Sequence, residues 1–229
     1  PIDSPISSHK LSPTMWNQQQ QDVLWQKSPS ASLADKILRK SRNLGTSAGK
    51  FADPWTFLVE ACITKDEASG QFRPFPAYPY LEYLTRERPK HRIFVIEKSR
   101  RMLVTWWMLC LYLHNVLTQP NHANFIGSRK LEASAYLLGP ERILGVYERI
   151  TSDVWPNKPR LLATGKHEHG YTLLECPDTG SYIRAIASGA DQLRQYTATN
   201  VFCDEFAFWE RAEESWSAMR PTIQGGGHI

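Results

Sequence analysis

Runs of apolar residues separated by polar turns fill the middle of this chain, and their periods predict alternating strands and helices. Residues 92–97 place Ile93, Phe94, Val95 and Ile96 in succession, the continuous apolar pattern of a strand covered on both faces. Residues 102–117 follow as a strongly apolar buried helix, and 123–127 as a second strand. From 130 to 150 the pattern is helical, interrupted at Gly139-Pro140. Residues 173–176 and 181–186 flank Pro177-Asp178-Thr179-Gly180, turn chemistry that predicts a hairpin. A last strand over 200–203 ends in two consecutive acids, Asp204 and Glu205.

Upstream of these elements, Ser12-Pro13 opens a helical, Gln-rich segment to about Lys27, and a second short helix is expected over 32–44 with Gly45 as its stop. A linker over 45–50 follows, and Asp53-Pro54 starts a further helix carrying Trp55, Leu58 and Val59. Between Gly70 and Pro89 lies a stretch rich in proline and aromatics. The order strand, helix, strand, helix, hairpin, strand predicts an α/β fold: a mainly parallel central sheet flanked by helices, with antiparallel additions. Two parts result: a helical or partly disordered N-terminal segment, 1–50, and a main domain, 51–229.

Composition supports one main core, since 229 residues with 41% in the hydrophobic set suffice for a medium α/β domain and a small accessory segment. The formal charge of +4 resides in residues 1–50, and the rest of the chain is balanced. A generic DNA-coating role is thereby excluded, and any nucleic-acid contact falls to local patches. Cys62, Cys110, Cys176 and Cys203 are widely spaced among apolar neighbours, the pattern of buried thiols in a reducing compartment. The most apolar run, 102–113, is shorter than a bilayer span, and no signal-peptide pattern opens the chain, which begins at Pro1.

The chemistry concentrates at two strand ends. In nucleotide hydrolases an acid ending an apolar strand holds Mg²⁺ while a glutamate beside it orients the attacking water, the arrangement that Val201-Phe202-Cys203-Asp204-Glu205 offers. The partner is Lys98-Ser99-Arg100-Arg101-Met102-Leu103-Val104-Thr105, in the turn between the 92–97 strand and its helix. Backbone N–H groups at a helix N-terminus, reinforced by Lys or Arg, hold phosphates, and a closing Thr hydroxyl can ligate Mg²⁺. Against GxxxxGK[ST] only Thr105 fits; Lys98, Leu103 and Val104 replace the two glycines and the lysine, and the positive charge moves forward to Lys98, Arg100 and Arg101. Phe75, Tyr78 and Tyr80 are either base-stacking or core residues, and His167-Glu168-His169 is expected to be an exposed turn.

Together these pieces resemble the large terminase subunits of tailed double-stranded DNA viruses, whose phosphate loops often carry the essential Lys or Arg early. The resemblance covers about 53–229. It includes the lead-in from Pro54 to Leu84, the loop at 98–105, Ile126 to Leu138, Ser188 to Arg194, the acid pair with its flank to Trp209, and Arg220-Pro221-Thr222-Ile223 with Gly225 to Gly227.

It implies a P-loop NTPase of the ASCE type that hydrolyses ATP with Mg²⁺ and drives double-stranded DNA into a procapsid. Asp204 would then be the metal carboxylate with Thr105, Glu205 the catalytic glutamate, Lys98 or Arg101 the phosphate contact, and Arg194 a finger reaching a neighbouring subunit's ATP. The implied partners are DNA, the portal protein, the small terminase subunit and further copies of the chain in a ring on the procapsid, with no membrane. The expected location is the host cytoplasm, transiently at the portal. The acidic cluster of the family's nuclease half is not among these residues, so no nuclease activity is expected of them. A helicase-like ring ATPase and a catalytically degenerate DNA- or portal-binding scaffold remain the alternatives.

Overall fold

The computed structural model describes residues 49–66, 69–189, 193, 196–223 and 226–229. The two helices expected within 1–44 and the candidate finger Arg194 lie outside the described residues. The linker expected over 45–50 ends in a 3-10 turn, Gly49–Phe51, whose Phe51 is buried against Phe57 and Trp155.

Helix α1, Pro54–Ala61, starts where the sequence requires it. Pro54 occupies the first helical position, and the Asp53 carboxylate accepts the Thr56 N–H at 2.9 Å. Strands β1 (Ile63–Lys65) and β2 (Phe72–Pro74) form a small antiparallel pair, followed by helix α2, Pro79–Glu87. Arg86 of α2 reaches back to Asp53, and burial, which alone would raise the Asp53 carboxyl, is outweighed by these hydrogen bonds, which hold it below its usual value.

The apolar helix appears as α3, Val104–Thr118, buried on almost every side. After it come β3 (Ala123–Ser128), α4 (Leu131–Leu137), α5 (Ile143–Arg149), β4 (Leu162–His167), β5 (Gly170–Cys176), β6 (Ser181–Ala187), β7 (Asn200–Cys203) and α6 (Ala212–Thr222). Five strands make one sheet in the order β4-β5-β6-β3-β7. Strand β3 pairs in parallel with both β6 and β7, while β4 and β5 are the antiparallel additions.

Both faces of the parallel part are covered, as parallel sheets require. Ile126 faces the larger core built on α3, and its neighbour Phe125 faces a second cluster with Ile186, Val201, Trp209, Met219 and Ile223. Buried amides fix the register across three strands: Asn200 donates to Asn124 at 2.8 Å, and Asn124 to the Tyr182 carbonyl at 3.0 Å. Cys62, Cys110 and Cys176 are buried free thiols, and burial pushes the half-buried Cys203 up to about 12. Among the described residues no helix is long and apolar enough to cross a membrane.

Residues 92–97 depart from expectation. They form no strand, Arg92 and Ile93 lying in a bend, and the run is not covered on both faces: Val95 is 84% and Ile93 42% exposed, while Phe94 and Ile96 pack against the α3 core. Their pairing partner is the distant segment 228–229. Ile229 donates to Arg92 O and accepts from Phe94 N–H, both at 2.8 Å. On its other side, His228 donates to Thr199 O at 2.9 Å and accepts from Val201 N–H at 2.8 Å. Residues 228–229 therefore lie between β7 and the 92–97 segment and bring the ends of both to one edge of the sheet.

Candidate active site

Strand β7 buries Asn200 and Val201 and half-buries Phe202 and Cys203, and its last ladder bond, Asp204 N–H to Gly127 O at 2.8 Å, carries the pairing one residue beyond the strand. The chain then turns at Glu205, which has a left-handed φ of 52°, into the 3-10 turn Phe206–Phe208. Both carboxylates thus emerge at the C-terminal edge of the parallel strands, where α/β sheets bind ligands.

The second turn, 98–103, leads into α3. Arg101 and Leu103 have φ of 66° and 53°. Leu103 therefore adopts the glycine-like backbone at the position where the usual phosphate-loop pattern has glycine, so the bend survives the loss of its usual residue. That bend delays the helix start from the expected 102 to Val104. Thr105 consequently lies in the first turn of α3, and its hydroxyl donates to Asp204 Oδ1 at 3.0 Å, joining positions 99 residues apart.

Burial raises the Asp204 carboxyl above its usual value. The Thr105 hydrogen bond and the charges of Lys98 and Arg142 pull it down, while the Glu205 charge reinforces the rise. A cleft of about 630 Å³ lies between the two turns, lined by Lys98, Arg100, Val104, Asp204, Glu205 and the apolar residues of 93–96 and β7. Lys98 and Arg100 line this cleft, whereas Ser99, Arg101, Met102, Leu103 and Thr105 do not. A half-buried carboxylate bonded to a hydroxyl is the hard oxygen set that Mg²⁺ favours. Two cations beside the N-terminus of a 15-residue helix suit a polyphosphate, so the residues present fit a magnesium–nucleotide pair.

Three contributors act through contacts that the sequence does not signal, Tyr80 standing out there only as a base-stacking or core residue and Trp209 only as the end of the acid pair's flank. Tyr80 donates its hydroxyl to Met102 O at 3.0 Å, tying the aromatic lead-in to the loop. Arg142 stacks over Trp106, the residue after Thr105, at 4.6 Å and over Tyr136 at 5.2 Å, and its charge reaches Asp204. Trp209 bonds the Asp204 carbonyl through its indole at 3.1 Å. The aromatic candidates divide: Phe75 is core, packed on Trp55, while Tyr78 and Tyr80 stack with centroids 5.7 Å apart and Tyr78 remains 46% exposed. His169 and Glu168 are exposed in the β4–β5 turn, and among the described residues no group of three or more potential ligands gathers around a metal position.

No known protein-family model and no curated protein matches the sequence. Solved structures do match the fold. The HK97 bacteriophage large terminase superposes with a TM-score of 0.54 at 12% identity, over 74% of this chain and 35% of that one. The large terminase ATPase domain of Thermus phage P74-26 gives 0.48 at 17% identity, over 65% of this chain and 61% of that one. The chain thus spans about a third of the first protein and three fifths of the second, and its fold is the α/β fold seen in the first.

Proposed function

We propose that this chain is the ATP-hydrolysing domain of a DNA-packaging motor of the large-terminase type. One observation carries the reading: the Thr105 hydroxyl donates to the Asp204 carboxylate at 3.0 Å, and that carboxylate lines one cleft with Lys98, Arg100 and Glu205. A helix-start hydroxyl beside a strand-end acid is the oxygen pair that phosphate-loop hydrolases use for magnesium.

In this reading Asp204 and Thr105 hold Mg²⁺, which neutralises charge on the phosphoryl oxygens. Lys98 and the N–H groups opening α3 bind the β- and γ-phosphates. Glu205 orients water for in-line attack and accepts its proton. Arg194 of an adjacent subunit stabilises the charge that develops on the transferred group. Turnover drives double-stranded DNA through a portal-bound ring of these chains, with the small subunit as a further partner, in the host cytoplasm.

Hydrolysis by the wild-type chain, with double-stranded DNA supplied, tests this. Glu205→Gln should abolish turnover while sparing ATP binding, and Lys98→Ala should weaken binding. Turnover undiminished in Glu205→Gln would sink the assignment, and a wild type that neither binds nor hydrolyses ATP would favour the scaffold alternative. Procapsid-dependent packaging by the intact protein separates a packaging motor from a helicase-like one, because a helicase needs no portal.

A further inference from the structure

Glu205 sits at φ 52° and ψ 40°, a conformation that residues with a Cβ seldom adopt. Neighbouring groups must therefore hold this turn. Backbone bonds secure its flanks: Asp204 N–H to Gly127 O at 2.8 Å, and Phe208 N–H to Glu205 O at 2.9 Å. The Asp204 carbonyl, which belongs to the peptide joining the two acids, instead receives a side-chain donor, the Trp209 indole N–H, at 3.1 Å.

That indole is itself immobilised. Trp209 is 5% exposed, packs with Phe206 at 5.0 Å between centroids, and belongs to the cluster with Phe125, Val201 and Met219. Its ring lies against Gly127, where an added Cβ would come within 2.7 Å of Cη2. Only glycine gives the ring this seat. The donor consequently stands at a fixed point relative to β3, the central strand of the parallel part of the sheet.

We propose that Trp209 is a positioning residue for the acid pair: its N–H fixes the plane of the Asp204–Glu205 peptide and so aims one carboxylate at the metal position and the other at the water. This inference rests on the ATPase reading of the same cleft. Trp209 acts through the Asp204 carbonyl and is not a catalytic group.

The test compares wild type with Trp209→Phe, which keeps an aromatic ring but has no donor. A second variant replaces Trp209 by benzothienylalanine, which has the shape of tryptophan with sulfur in place of N–H and so separates loss of the bond from loss of packing. Both should lower kcat for ATP about tenfold while KM stays within about twofold, because the phosphate contacts of the other turn are untouched. The magnesium concentration for half-maximal rate should rise. Normal kcat in the benzothienylalanine variant, or a loss that only follows the unfolded fraction in thermal melts, overturns the inference. Wild-type turnover abolished by Glu205→Gln but indifferent to both Trp209 variants overturns it alone, whereas absent wild-type turnover overturns the ATPase reading with it.

Discussion

The turn that carries Asp204 and Glu205 follows a strand paired within the sheet, whereas the turn from Lys98 to Leu103 follows a segment whose backbone hydrogen bonds, among the described residues, run to Ile229. The first is fastened by backbone bonds to Gly127 and within the 3-10 turn, and by the Trp209 indole. The second receives, among the described residues, one hydrogen bond to positions 98–102, from Tyr80 to Met102 O, and it contains two left-handed residues. The acids are thus preorganised by the fold, while the cationic turn is tied down at few points. In the proposed reaction that division suits the roles, since metal and water need fixed acids and a phosphate can complete the hydrogen bonding of the loop that embraces it.

The largest expected effect breaks the rigid side. Asp204→Asn should cut ATP turnover at least about 100-fold, roughly 2.7 kcal/mol in the barrier, without lowering thermal stability at neutral pH. The sign follows from the carboxyl, whose pKa burial raises in the folded state. An acid with a raised folded pKa costs stability when ionised, and the protein regains that stability as pH falls through the raised value. The asparagine variant should therefore melt no lower than wild type at neutral pH, and any advantage should vanish in acid as Asp204 takes up its proton. Melting curves across pH check this, and a variant clearly less stable at neutral pH would contradict it.

A smaller effect should fall on the other side. Deleting residues 228–229 removes four backbone hydrogen bonds that join the 92–97 segment to β7, at a cost of about 2 kcal/mol or more. Hydrogen exchange should localise the damage, with 92–103 losing protection while β3 and β6 keep theirs. Equal loss across the sheet would show that the two turns are not held independently.

Where the fold was legible in the sequence, local pattern and structure agreed. Helix α3, strand β3, the β5–β6 hairpin and the Asp53-Pro54 start all carry their own signals of apolar run, turn residue or cap. The 92–97 segment was misread because its apolar run looks like a central strand, yet its ladder partner lies more than a hundred residues away. Strand β4 went unseen because Thr164, Gly165, Lys166 and His167 carry no apolar alternation at an exposed edge. Helix α6 was hidden by its mixed polarity and by Pro221. Thr105 and Asp204 could be paired in advance because each follows from a strand end and a helix start. Tyr80, Arg142 and Trp209 could not, since each matters only through an approach that the folded chain creates.

The smallest effect concerns Arg101, which the structure leaves exposed, outside the cleft and at φ 66°. A left-handed residue with a Cβ stores about 1 kcal/mol or more of strain that glycine avoids, offset in part by the greater freedom of glycine in the unfolded chain. Arg101→Gly should therefore raise stability by up to about 1 kcal/mol, read from chemical denaturation. The same variant decides between the two cations considered for the phosphates. If Lys98 is the contact, kcat/KM for ATP should stay within about threefold of wild type, because an exposed charge outside the cleft contributes little through solvent. A loss of tenfold or more would move the role to Arg101, and would mean that the loosely held turn rearranges on binding to bring that side chain inward.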